Sequence, residues 1–168
     1  MQFVYHRRPP DLRGEILYPL NALRARYPDA YERQAAKYRG REKLMATPVP
    51  PLGLLWNDVL HLAPIHPHLL YRALVACGLS PPDHSYFAIP VDLLRGRPAT
   101  VLIAHDPDLY RPFDPDRYCE LGHVPESTLR FYDDEIRAGR QPLLYVGIPH
   151  VLVADPIDTA GLVQFSWC

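Results

Sequence analysis

Eight histidines stand in a chain of 168 residues. Imidazole changes charge nearest neutral pH, so histidines in apolar settings are the first candidates for acid–base or ligand-binding work. His6, His61, His66 and His150 sit among apolar or proline-bounded neighbours. His6 belongs to Val4-Tyr5-His6-Arg7 near the start, and His150 to Pro149-His150-Val151-Leu152-Val153 near the end. His61, His66 and His68 form a third group, spaced H-x4-H-x-H. Zinc takes three or four N, S or O ligands in a tetrahedron, so a metal-dependent enzyme built on these three is one reading. Pro67 argues against a strand that would point His66 and His68 the same way. The alternative is a helix that His66 caps and His68 joins, and no bound metal is expected.

Leu54-Leu55-Trp56-Asn57-Asp58-Val59-Leu60-His61 places an amide and a carboxylate between two apolar runs. Buried polar groups need partners and mark sites, so Asp58 and Trp56 join the candidates. The plainer reading is an Asn-Asp turn in a hairpin. Asp106, Asp108, Asp114 and Asp116 crowd one loop, but the EF-hand spacing and its terminal Glu are missing. Cys77, Cys119 and Cys168 are widely spaced and odd in number, which suits neither a disulfide framework nor a CxxC site. Nucleotide-binding glycine loops, HExxH and GxSxG are absent from the sequence.

The elements that must position these residues follow from periodicity. Gln2–His6 alternates as a strand. Ile16, Leu17, Leu20 and Leu23 recur at helical spacing. Ala30–Met45 holds strong helix formers and predicts a mostly exposed helix. Pro67 at a first helical position and Gly78 at a C-cap bracket another. Pro125-Glu126-Ser127-Thr128 starts one that runs to about Arg137. Ser85–Ile89 and Thr100–Ala104 read as strands, as do Leu143–Val146, His150–Val153 and Leu162–Trp167. This order is not a βαβ alternation. It predicts an α+β fold: one compact domain over residues 1–168, with a mixed or largely antiparallel sheet and several flanking helices.

Composition narrows the partners. Apolar residues make up 48% and charged residues 22%, enough to bury a core. The net charge of −1 argues against a surface built throughout to coat nucleic acid or anionic lipid. No run reaches the roughly 18 apolar residues of a membrane span, and the first residues do not read as a signal peptide, so a cytoplasmic protein without a membrane partner is expected. The base is nearly all arginine, whose planar fork suits carboxylates and phosphates; Lys37 and Lys43 are the exceptions.

Three segments carry a family resemblance. The Tyr5-His6 strand resembles the Tyr-His that begins the NAD-binding core of diphtheria-toxin-like ADP-ribosyltransferases. Asp58 to Tyr71 looks like the second conserved region of the DNA-targeting branch, where a strand runs through two prolines into Leu-Tyr on a helix. Pro149–Val153 resembles the family strand that carries the catalytic glutamate, with His150 in the glutamate's place. The resemblance implies NAD or another nucleotide as cofactor, with nucleic acid as a conceivable substrate. It places His6 on the adenosine-side ribose beside Tyr5, Arg7 or Arg8 near the pyrophosphate, Trp56 or Tyr71 stacked on a flat ring, and His150 facing the second ribose. A neutral histidine hydrogen-bonds a ribose but supplies no negative charge for an oxocarbenium-like transition state. That departure implies either different chemistry on a nucleotide-like ligand or a lapsed site. The RNA 2′-phosphotransferases, which share that fold, use Arg and His residues instead of the glutamate. From another functional class, a non-catalytic protein-interaction module uses the same aromatic and arginine residues on a partner.

Overall fold

The computed structural model describes residues 1–103 and 109–168. Ala104, at the end of one expected strand, and Asp106 and Asp108 of the aspartate loop lie outside the described residues. Asp114 and Asp116 are occupied by arginines: Arg117 lies 3.6 Å from Asp114, and Arg95 2.8 Å from Asp116.

Two antiparallel sheets carry the fold. In the first, β1 (Phe3–Arg7) and β11 (Val163–Ser166) flank β6 (Ser85–Pro90). The second runs β5 (Leu60–Leu62), β9 (His150–Val153), β7 (Ala99–Leu102) and β8 (Tyr110–Pro112). The short pairs β2 (Ile16–Leu17) with β10 (Ile157–Asp158), and β3 (Pro48–Val49) with β4 (Leu54–Leu55), brace the loops. The helices are α1 (Leu20–Arg26), α2 (Pro28–Ala35), α3 (Glu42–Met45), α4 (Pro67–Ala76) and α5 (Glu126–Arg137). This is an α+β single-domain fold. No described helix is long and apolar enough to cross a membrane.

The two-residue strand period decides which side chains meet. On β9, Val151 and Val153 enter the core between the sheets with Val4, Leu60, Leu62, Phe87 and Ile89. Leu152 faces the other way, into a second core with Leu20, Leu23, Tyr38, Val49 and Trp56. His150 shares the face of Leu152, and His61 pairs with Leu152 across the β5–β9 ladder. The alternation therefore turns both histidines toward the α1–α2 side. A third core lies under α4 and α5, around Tyr86, Tyr132 and Trp167.

Three expected elements take other forms. Ile16 and Leu17 leave the helical spacing to pair with Ile157–Asp158 as β2, and the helix begins only at Leu20, after Pro19. Ala30–Met45 is not one helix. It stops at Ala35, tightens into a 3-10 turn over Ala36–Tyr38, and breaks at Gly40 before α3. Gly40 has φ 77°, where a side chain is disfavoured. Leu143–Val146 is a turn, not a strand. Its carbonyls are taken by side chains of α5: Thr128 Oγ1 donates to Val146 O at 2.8 Å, and the Tyr132 hydroxyl donates to Leu144 O. Those bonds satisfy the backbone without a neighbouring strand.

Leu152 is fully buried where the second sheet meets the helical layer. Leu152→Ala is expected to cost about 2–5 kcal/mol, read as a fall in the denaturation midpoint at unchanged slope. A loss below about 1 kcal/mol would mean that the layer is loosely packed there.

Candidate functional site

A cavity of about 760 Å³ opens between β1, the loop that follows it, α1, α2 and the Leu143–Val146 turn. His6, His61 and His150 all line it. Their rings come from three strands. β1 is fastened beside the end of β5 by reciprocal hydrogen bonds between Tyr5 and Ala63, each 2.9 Å. His61 and His150 stand edge to face at 6.1 Å between centroids, and Tyr145 packs on His150 at 5.8 Å. The 3-10 turn Trp56–Asp58 sets Trp56 against His61 at 4.3 Å.

The His61 tautomer follows from its partner. Nε2 lies 2.8 Å from the Trp56 carbonyl, which can only accept, so Nε2 carries the hydrogen and Nδ1 the lone pair. Burial holds His61 down to about 3, and the neighbouring His150 adds to the effect. Burial likewise lowers His6 to about 4, reinforced by the charge of Lys37. Both rings are half-buried by area, and both border the cavity. His150 is 8% exposed.

The broken helix brings in what the sequence reading missed. Lys37 and Arg41 flank Gly40 and line the cavity with Arg7 and Arg8. Much of Lys37 is open by area, yet desolvation still lowers its pKa, with Arg7 and Arg41 adding to the shift. Its ammonium lies 5.1 Å from the centroid of the Tyr38 ring. Arg41 donates to the Lys37 carbonyl at 2.9 Å, and Arg7 to Nδ1 of His84 at 2.9 Å. Asp11 is the lone carboxylate among the described lining residues, and it already accepts from Arg33 at 3.0 Å and Gln34 at 3.1 Å. Arg13 and Arg33 are further neutralised by Asp29. Arg7, Arg8, Lys37 and Arg41 have no carboxylate partner among the described residues.

Two polar groups beneath the wall are unsatisfied. Asn57 is 1% exposed, and neither its Nδ2 nor its Oδ1 has a hydrogen-bond partner; Nδ1 of His6 is in the same state. Such orphans are rare in folded proteins and concentrate at functional sites. Helix-breaking Gly40, midway between the chain's two lysines, was the sequence signal for this half of the site.

The remaining expected residues divide. Tyr5, Arg7, Arg8 and Trp56 line the cavity with His6 and His150. Asp58 does not. It borders a separate space of about 330 Å³, accepting from the Leu55 backbone at 2.9 Å and the Asn21 amide at 2.7 Å. Those bonds make it a cap of the Trp56–Asp58 turn. Tyr71 lies outside the cavity lining, packed on Trp167 at 5.6 Å. His66 caps α4 by accepting from the His68 backbone at 3.2 Å, and His68 meets the Trp167 carbonyl at 2.9 Å. Neither borders the cavity that His61 lines, so the three are not assembled. Among the described residues no group of His, Cys, Asp or Glu is arranged to hold a metal.

The chain matches no protein-family model, no curated protein and no solved structure. The site therefore rests on its own geometry.

His6 and His61 have folded pKa values below the unfolded 6.5. The unfolded chain then binds more protons than the fold below that pH. Their contribution is fully present above pH 6.5 and is lost as pH falls toward about 4 and about 3. The melting temperature should drop steadily from pH 7 to pH 4.5, with each histidine contributing at most about 1.4 kcal/mol per pH unit. His6→Gln should flatten that slope. A melting temperature level across the range would show that these rings are not held neutral.

Proposed function

We propose that this protein binds a nucleotide carrying a diphosphate, of the NAD and ADP-ribose class, in the cavity lined by His6, His61 and His150. One observation carries the reading. Cations without carboxylate partners and neutral imidazoles share a space whose lone described carboxylate is already occupied. Like charges gathered without a counterion raise the energy of the fold, and a phosphate-bearing ligand relieves them. The volume lies within the roughly 300–1,000 Å³ usual for small-molecule and cofactor sites.

The aromatic lining serves the rest of such a ligand. Trp56 and Tyr145 offer flat faces for a base, and the histidines offer hydrogen bonds to ribose hydroxyls. The resemblance to ADP-ribosyltransferases supports the same class, with His150 at the second ribose. The cavity is poor in negative charge, so chemistry on this ligand runs without a carboxylate of the family's kind. The protein acts as an atypical member of that chemistry or as a binder of its nucleotides.

Thermal shift tests this reading. NAD or ADP-ribose at millimolar concentration should raise the melting temperature, since a ligand bound only by the fold stabilises it by about 2.7 kcal/mol at one hundred times its Kd. His150→Ala should abolish that rise. Absence of any shift with either nucleotide would refute the reading, and a shift retained in full by His150→Ala would remove His150 from the site.

A further inference from the structure

The structure assigns a proton-coupled oxyanion subsite to Lys37, Arg7 and Arg41 over the His6 and His61 floor, so that the diphosphate and a proton enter the cavity together. This deepens the nucleotide reading and rests on it for the ligand's identity, though not for its charge.

Lys37 and Arg41 are brought together by the chain break at Gly40, and the end of β1 supplies Arg7. All three line one cavity with His6 from β1 and His61 from β5. The groups facing His61 are basic or neutral from every side: His6 from β1, Lys37 from the 36–38 turn, His150 from β9 and the Trp56 carbonyl. The lone described carboxylate of the cavity, Asp11, is bound to Arg33 and Gln34.

Without a ligand, protonating an imidazole here adds a charge to a desolvated, already cationic space. Burial and the neighbouring bases both oppose it, which agrees with the lowered His6 and His61. An oxyanion between Lys37, Arg7 and Arg41 reverses the sign of the local field. The same imidazole then gains a negative neighbour, and its protonated form is favoured. The fixed Nε2–H tautomer makes His61 the better receiver. Its Nδ1 lone pair is open to a proton without breaking the bond to Trp56. The orphaned amide of Asn57 adds an unsatisfied buried donor to the same wall.

Calorimetry separates this from plain nucleotide binding. The probes are ADP-ribose and sulfate, whose charges stay fixed near neutral pH, with adenosine as the uncharged control. Binding is measured at pH 6.5 in buffers of different ionisation enthalpy and then repeated from pH 8 to pH 6. ADP-ribose and sulfate should both bind with proton uptake, tightening by up to about tenfold per pH unit lowered. Adenosine should not bind. Lys37→Ala, and Lys37→Gln as the variant that keeps side-chain bulk, should weaken both anions by about tenfold or more. The His61 ring resonances should titrate at higher pH with sulfate than without it.

Sulfate bound with proton uptake while ADP-ribose and NAD fail would uphold the subsite and end the nucleotide reading. ADP-ribose bound with equal heats in all buffers and unweakened by Lys37→Ala, while adenosine fails to bind, would overturn the subsite and leave the nucleotide reading standing. No binding of either anion would overturn both.

Discussion

The reciprocal hydrogen bonds between Tyr5 and Ala63 hold the molecule's two sheets in one arrangement. Tyr5 directs its backbone to Ala63 on one side while β1 pairs with β6 on the other, so β1 belongs to both sheets at that point. Around it the edge is tied off. Glu120 accepts from the Phe3 backbone at 2.6 Å and from the Tyr5 hydroxyl at 3.0 Å, and the Tyr118 hydroxyl donates to the Phe3 carbonyl at 2.6 Å. With β1 fixed, Val4 falls into the core between the sheets. His6, two residues along the same face, borders the cavity. Slipping the strand by one residue would send His6 to the opposite face.

The cavity works against the fold that makes it. Neutral, half-buried imidazoles, an ammonium near two guanidiniums, and a buried amide with no partner are each less favourable than apolar packing in the same place. The cost is borne by the three cores and by the strand ladders, and the core around Trp56 and Tyr38 itself forms part of the cavity wall. Such local conflict inside an otherwise consistent structure is expected at binding sites. The neighbouring smaller space shows the contrast. There Asp58 meets the Asn21 amide and the Leu55 backbone, and its polar atoms are satisfied.

Much of the frame was legible in the sequence because it depends on local signals. Pro67 and Gly78 bracket α4 within a residue, with His66 at the cap, and β1, β6, β9 and β11 fall on the short apolar, β-rich runs that predict them. That His6 and His150 border one cavity was legible only as a hypothesis, because neither spacing nor composition reports which strands adjoin. Two failures have different origins, one remote in sequence and one local. Leu143–Val146 has strand-like residues but spends its carbonyls on Thr128 and Tyr132, partners remote in sequence. The Ala30–Met45 helix formers do not override Gly40, whose positive φ ends the run. Both places put cavity-lining side chains, Tyr145 and Lys37, where periodicity would not. Asp58 drew attention for the right reason, a carboxylate among apolar residues, but its charge is spent on a local turn.

The histidine at 150 and the cations at 37 and 41 belong to one electrostatic choice. A carboxylate at 150 would stand beside His61 and near the cationic wall. It would raise the pKa of that imidazole and give the cations an internal partner. The cavity would then hold its own counterion, and an incoming diphosphate would have to displace it. With His150 the cavity gains no counterion at that position, which under the nucleotide proposal leaves the negative charge to the ligand. The same field disfavours a positive ring at the inner end, because a nicotinamidium cation would share the space with Lys37 and two arginines. Within the proposed nucleotide class, this ranks ADP-ribose above NAD, since the two share the diphosphate and differ in the charged ring. Under the nucleotide proposal, a histidine rather than a carboxylate at this strand position suits the cavity to holding an anion and not to stabilising a cationic transition state.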